Sequence, residues 1–217
     1  MDEKPDFANL RKRMVDFQIR CRGIKNERVL SALLKVPREE FVSEELKPCA
    51  YDDCPLPIGF GQTISQPYIV AIMTELAEPE PGMRVLEVGT GSGYQAAILC
   101  ETGCNVFSIE RIPELVKTAR RTLKKLGYNA IIYLGDGTCG FKQFAPYQTI
   151  IVTAAAPDIP KSLIDQLEEG GKIIIPVGDL FSQTLVRGVK KNGKLITEHY
   201  GGCQFVPLKG KEGWKDE

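Results

Sequence analysis

The feature that most constrains this chain is a short apolar run that breaks into three spaced glycines: Val85-Leu86-Glu87-Val88-Gly89-Thr90-Gly91-Ser92-Gly93-Tyr94. Glycine turns tightly and lets a ligand approach the backbone closely. A strand that runs through such a turn into a helix is the opening unit of a doubly wound sheet, and nucleotide-like ligands bind there, at the carboxyl ends of the strands. The chain that follows alternates as this fold requires. Strands are expected over 84–88, 105–109, 130–134, 149–153 and 172–177. Between them lie helical patterns over 94–100, 113–126 (closed by Gly127) and 160–167 (closed by Gly170-Gly171). Two last strands, over 184–190 and 194–200, are joined by Asn192-Gly193, a strong short hairpin signal. The pattern predicts an α/β fold: a mostly parallel sheet with helices on both faces and an antiparallel strand near one edge.

The segment before the glycine motif reads as a helical N-terminal extension. Leu10, Met14, Phe17 and Cys21 recur at helical spacing, followed by Val29, Leu30, Leu33 and Leu34, until Pro37 interrupts. Residues 49–66 are rich in Pro and Gly and read as one long loop, a length that itself hints at function. A helix over 67–76 places Val70, Met73 and Leu76 on one side and stops near Pro79, Pro81 and Gly82.

At 217 residues the chain suffices for one compact domain. Lys plus Arg equals Asp plus Glu at 28 each, so no global charge draws it to nucleic acid or an acidic membrane. No apolar run is long enough to cross a bilayer. Seven cysteines, an odd number without a CxxC pair, suit reduced thiols. Together with an acidic N-terminus lacking a signal-peptide core, they lead to the expectation of a cytoplasmic protein. Cys100 and Cys104 read as small buried residues, the lone His199 has no triad partner, and no metal is expected.

Two ligand classes compete for the glycine turn. The dinucleotide fingerprint needs Gly or Ala three residues after the second glycine, where this chain has Tyr94. Gly93 comes instead two residues after Gly91. This acidic-x-Gly-x-Gly-x-Gly form resembles the first motif of class I methyltransferases. Glu87 then suits the amino group of a methionine moiety. Glu110, at the end of the second strand, suits two ribose hydroxyls. Asp136, in Gly135-Asp136-Gly137, suits an adenine amino group, although an Asp between glycines also reads as a turn.

Longer stretches carry a narrower resemblance. They are Pro55-Leu56-Pro57-Ile58-Gly59, Gly61-Gln62-Thr63-Ile64-Ser65-Gln66-Pro67-Tyr68, residues 86–99, and Ile109-Glu110-Arg111-Ile112-Pro113-Glu114-Leu115. Val152-Thr153-Ala154-Ala155-Ala156-Pro157, Ile174-Ile175-Pro176-Val177-Gly178 and Phe205-Val206-Pro207-Leu208 complete the set. On these the chain resembles the protein-L-isoaspartate (D-aspartate) O-methyltransferase family. The resemblance implies S-adenosyl-L-methionine as cofactor, with S-adenosyl-L-homocysteine as its product. It implies methyl transfer to the free carboxylate of isoaspartyl or D-aspartyl residues, then spontaneous collapse to a succinimide and partial return to aspartate. It also implies one methyltransferase domain over 1–217, with 1–50 as the helical extension and 51–217 as the cofactor- and substrate-binding core. The family reorders its last strands relative to ordinary methyltransferases.

Carried over residue by residue, Ser65 is the active-site serine. Cofactor contacts fall on Gln62, Thr63, Ile64, Ser65 and Tyr68. A second group is Glu87, Gly89, Thr90 and Gly91, and a third is Glu110 with Arg111 and Asp136 with Gly137. Pro57, Ile58 and Ser65 are expected to meet the substrate, with Gln204, Phe205 and Val206 opposite, by backbone pairing with an extended peptide. Phe60 stands where many bacterial relatives carry His. Read without the resemblance, Thr63 and Ser65 are a helix cap before Pro67. The expected partners are isoaspartyl peptides and proteins, with no nucleic acid or membrane, and the chain is expected to be monomeric. The rival readings are a methyltransferase for RNA or a small molecule, an NAD-dependent dehydrogenase, and a non-catalytic binding module.

Overall fold

A computed structural model describes residues 5–215. The N-terminal helix α1 (Phe7–Arg13) is capped by Asp6, which accepts from Asn9 N at 3.1 Å. It runs into a π-helical turn over Met14–Ile19. That wider turn moves the buried stripe. Met14, Val15 and Ile19 face the core, while Phe17 is 69% exposed and Cys21 is exposed, so the even stripe expected from the sequence does not form. Helix α2 (Glu27–Lys35) starts on Asn26, whose side chain accepts from Arg28 N and Val29 N. It buries Val29, Leu30 and Leu33 and leaves Leu34 partly in solvent. It stops before Pro37, with Val36 already extended.

The expected loop over 49–66 contains structure. Leu56–Gly59 (β1) and Gln62–Ile64 (β2) form a separate antiparallel hairpin, in which Leu56 pairs with Ile64 and both are buried. Phe60 turns the hairpin at a φ of 54°, a backbone state that a non-glycine residue does not advertise in sequence. Helix α3 (Pro67–Ala77) follows, with Pro67 in its first turn.

The main sheet is built from β3 (Arg84–Val88), β4 (Asn105–Glu110), β5 (Ala130–Leu134), β6 (Tyr147–Val152), β7 (Leu167–Gly178), β8 (Gln183–Lys191) and β9 (Lys194–Cys203). Helices α4 (Tyr94–Glu101), α5 (Pro113–Leu126) and α6 (Lys161–Asp165) connect them. The strand order is β5-β4-β3-β6-β7-β8-β9. Pairings from β5 to β7 are parallel, and those of β7 with β8 and β8 with β9 are antiparallel. β8 alone therefore runs against the others, one place in from the edge, and the last three strands form a simple meander. The Asn192-Gly193 turn has positive φ at both residues, 51° and 72°, as a tight two-residue hairpin requires.

Alternation along the strands sorts side chains onto two faces. Val85, Val106, Ile132, Ile151 and Ile174 join one core with the N-terminal arm, α3, α4 and α5. Leu86, Val88, Phe107, Ile109, Ile150, Val152, Ile173 and Ile175 join the other, with Leu163 of α6. The N-terminal arm is thus packed into the main core.

The arm also carries a buried polar knot. Arg11 reaches Glu39 at 3.1 Å and Tyr51 Oη at 2.8 Å, and the Tyr51 hydroxyl donates to the same carboxylate. Arg38 is wholly buried, with Nε on Ala50 O at 2.6 Å and its guanidinium over the Tyr94 ring at 5.0 Å. Removing one member of such a knot strands the others without water. Glu39→Ala is therefore expected to lower stability by about 2–4 kcal/mol. Lys12→Ala, which breaks an exposed pair with Asp16, should change it by less than about 0.5 kcal/mol. Urea unfolding of both variants measures the contrast.

Candidate functional site

The crevice opens where strand order reverses, between β3 and β6, at the carboxyl ends of the strands. It encloses about 310 Å³, within the range of small-molecule sites. Its floor is the turn after β3. Gly89 N and Thr90 N both donate to Ile109 O, at 2.8 and 3.2 Å, which fastens the turn to β4. From the other side the Thr153 hydroxyl, at the end of β6, donates to Gly89 O. Gly89 has a φ of 97°, and a Cβ there would lie 2.4 Å from Thr153 Oγ1, so both backbone shape and space demand glycine. Gly93, at a φ of 90°, starts α4 against Ala119 and Leu123 of α5.

Glu87 is fully buried in the crevice wall. One oxygen accepts from Ser108 Oγ, which also bonds Thr90 Oγ1, and the other, Oε1, has no hydrogen-bond partner. Burial pushes its carboxyl up to about 8; the Ser108 bond opposes this and the charge of Glu110 adds to it. A buried carboxylate with a vacant oxygen calls for a donor or a cation from outside the chain. The amino group of a methionine moiety has that chemistry, so the residues present fit the cofactor implied by the sequence.

Glu110 closes the next side. Its two oxygens accept from Gly91 N and Ile112 N, each at 2.9 Å, so the glycine turn and the start of α5 share one carboxylate. Arg111 and Gly137 are also in the wall. Asp136 is not among the lining residues. Its Oδ1 accepts from Thr138 N and Thr138 Oγ1, and Oδ2 accepts from Lys211 N at 2.8 Å. These bonds hold its carboxyl below the usual range despite partial burial. The structure therefore uses Asp136 as a turn cap and as a tie to the C-terminal segment.

The hairpin and the start of α3 form the roof. Gln62, Thr63, Ile64 and Ser65 all line the crevice. The cap reading of Ser65 is not what forms: Gln66 is the N-cap of α3 and makes no side-chain cap bond. Among the described residues the Ser65 hydroxyl has no hydrogen-bond partner. Tyr68 lies outside the lining, with Arg22 stacked at 3.5 Å from its ring centre. Pro57 is exposed, and Ile58 reaches over Gly91. Val206 is in the wall, Phe205 is half-buried with its N–H on Gln183 Oε1, and Gln204 is exposed.

Sequence reasoning missed several wall residues. Val70 and Met73 were legible only as an apolar helix stripe, Pro207 and Leu208 only as part of a stretch carrying the family resemblance, and Lys209 carried no signal. Thr153 lay in a distinctive stretch, but its bond to Gly89 spans 64 residues of chain.

The raised carboxyl of Glu87 sets a pH dependence. A carboxyl whose folded pKa rises from 4.5 to about 8 is protonated in the free protein at neutrality. The free fold loses that contribution to stability as pH climbs through this window. Holding a cationic amino group requires the carboxylate, so binding releases a proton. Affinity for S-adenosyl-L-homocysteine should rise with pH by up to about tenfold per unit below 8, and level off above it. Glu87→Gln should abolish the slope. Calorimetry across pH measures both, and an unchanged slope in Glu87→Gln would remove Glu87 from this role.

Comparison with known proteins agrees with the geometry. A sequence model described as protein-L-isoaspartate(D-aspartate) O-methyltransferase matches residues 9–213. The chain is 54% identical over 208 residues to a protein-L-isoaspartate O-methyltransferase of Methanoculleus marisnigri, covering 95% of this chain and 94% of the relative. It is 53% identical to one of Geobacter metallireducens over 98% of this chain and 99% of the relative. A crystal structure of a Plasmodium falciparum relative bearing the same family name, in complex with S-adenosyl-L-homocysteine, superposes with a TM-score of 0.81 at 27% identity. It covers 95% of this chain and 99% of that one. With a glycine crevice, a buried carboxylate that keeps one oxygen unpaired and relatives alike along nearly their whole length, the chain belongs to the protein-L-isoaspartate (D-aspartate) O-methyltransferase family.

Proposed function

We propose that the crevice transfers a methyl group from S-adenosyl-L-methionine to the free carboxylate of L-isoaspartyl and D-aspartyl residues in damaged proteins, with Ser65 as the catalytic residue. The observation that carries this reading is a serine hydroxyl without a hydrogen-bond partner among the described residues, in the same wall as a buried carboxylate with one unpaired oxygen. Glu87 would hold the amino end of the cofactor, and Gly89 and Gly91 would allow its close approach. Glu110 stands where two ribose hydroxyls would be held. When bound, the cofactor supplies an activated methyl group on a sulfonium.

What the chain itself does is position and dry. An acceptor carboxylate is ionised at neutral pH and needs no general base, which suits a site without a histidine. Opposite charges are lost in the transfer, so excluding water favours it. Ile64, Val70, Met73, Val206 and Leu208 supply an apolar lining for that purpose. Ser65 donates to one acceptor oxygen and aims the other. The peptide runs between the β1–β2 hairpin and residues 204–206, where backbone groups recognise an extended chain. The reading extends to a single monomeric domain over 1–217 in the cytoplasm, without nucleic-acid or membrane partners. Seven unpaired thiols and zero net charge support it. No helix among the described residues is long and apolar enough to span a membrane.

Two measurements test the proposal. A peptide containing isoaspartate should accept labelled methyl while its normal-aspartate twin does not; equal labelling of the pair would overturn the substrate assignment. Ser65→Ala should lower turnover by about ten- to a thousandfold, with the fold intact by circular dichroism. Wild-type turnover in that variant would take Ser65 out of the mechanism.

A further inference from the structure

The β8–β9 turn contains the one asparagine in the chain that glycine follows, Asn192-Gly193. Both residues are exposed. An asparagine followed by glycine is the dipeptide most open to ring closure, because no side chain shields the next nitrogen. Gly193 N attacks the side-chain carbonyl of Asn192. A carbon–nitrogen bond forms, the bond to the side-chain amide breaks, and ammonia leaves with the proton that Gly193 gave up. Water then opens the succinimide, and opening at the backbone carbonyl leaves isoaspartate with a free α-carboxylate. The turn is thus a source of the very group that the crevice is proposed to methylate.

The structure places a restraint on this chemistry. Glu169, near the start of β7, receives the backbone N–H of Asn192 on one oxygen and that of Gly193 on the other, the latter at 3.4 Å. The attacking nitrogen is a nucleophile only after it loses its proton. A carboxylate beside it holds that proton and opposes the negative charge that would follow. The one aspartate followed by glycine, Asp136-Gly137, has its glycine buried and both carboxylate oxygens bonded.

Topology then decides where any repair must occur. β8 begins at the crevice end of the sheet and runs against the parallel strands, so the turn lies at the opposite end. Nine strand residues separate the two ends, about 27 Å at the usual rise. The turn cannot enter its own crevice.

We propose that Asn192-Gly193 is this chain's own isoaspartate-forming site, that Glu169 restrains it, and that a copy damaged there is a substrate for the crevice of a second copy. The last part rests on the proposed function; the first two do not. The test is to age the full chain at neutral pH in heavy-oxygen water and follow Asn192 by peptide mass mapping. Wild type, Glu169→Gln and a synthetic peptide of residues 189–196 are compared. Glu169→Gln keeps an acceptor and removes only the charge. It should speed conversion of Asn192 about fivefold, the factor one charge exerts at this distance through water, and the peptide should be faster still. Methylation of a standard isoaspartyl peptide should be unchanged in Glu169→Gln. Equal rates in all three samples would overturn the restraint. Aged chain is then offered to fresh enzyme with labelled cofactor, and label should appear on the peptide containing residue 192. If the standard peptide is labelled and the aged chain is not, repair between copies is refuted while the activity stands. If neither is labelled, the parent assignment fails, and the mass data still decide the restraint.

Discussion

The reversal of the chain after β3 is the constraint on which the crevice depends. Three glycines turn the backbone out of the sheet, and two neighbouring strands hold the turn from either side, β4 through Ile109 O and β6 through Thr153. Glu87 then sits at the sheet's carboxyl end, with a β4 serine on one oxygen and nothing on the other. Substituting any bulkier residue for Gly89 would push Thr153 away and loosen β6 from the turn. Floor, charge and wall are therefore one object.

Around that object the chain adds a roof. The β1–β2 hairpin and the first turn of α3 bring residues 62–65 over the crevice. The N-terminal arm backs this roof. Its Arg38 lies over Tyr94, itself a crevice residue, and its helices pack against α3 and α4. Ser65 is thereby presented by the joint between a hairpin and a helix, with its hydroxyl committed to no cap. An arrangement that leaves one buried carboxylate oxygen unsatisfied costs stability locally. It is held because the surrounding core is closed on both sheet faces.

Legibility in the sequence followed the locality of the cause. Strands β3 and β5 and helix α5 were bounded correctly because alternation, proline at the start and Gly127 at the stop all act within a few residues. The hairpin over residues 56–64 was hidden because its turn uses Phe60 in a left-handed state and its strands are dense in Pro and Gly. The buried stripe of the first helix moved because a π turn changed its period, which no single residue announces. Asp136 read as an adenine contact ahead of a turn. Its bond from Lys211 N, 75 residues away in the chain, was not legible because no local pattern brings the two together.

The sequence by itself determined the glycine turn, the order of strands and helices around it, and the kind of ligand such a turn accepts, since backbone conformation and side-chain period are local properties of residues. Only the tertiary structure decided which polar groups are left without partners. Among the described residues Glu87 Oε1 and the Ser65 hydroxyl have no hydrogen-bond partner and Asp136 has several, because hydrogen bonding is settled by whatever distant chain folds beside each group. The same holds for Asn192-Gly193, a local hazard whose restraint by Glu169 comes from a strand begun more than twenty residues earlier.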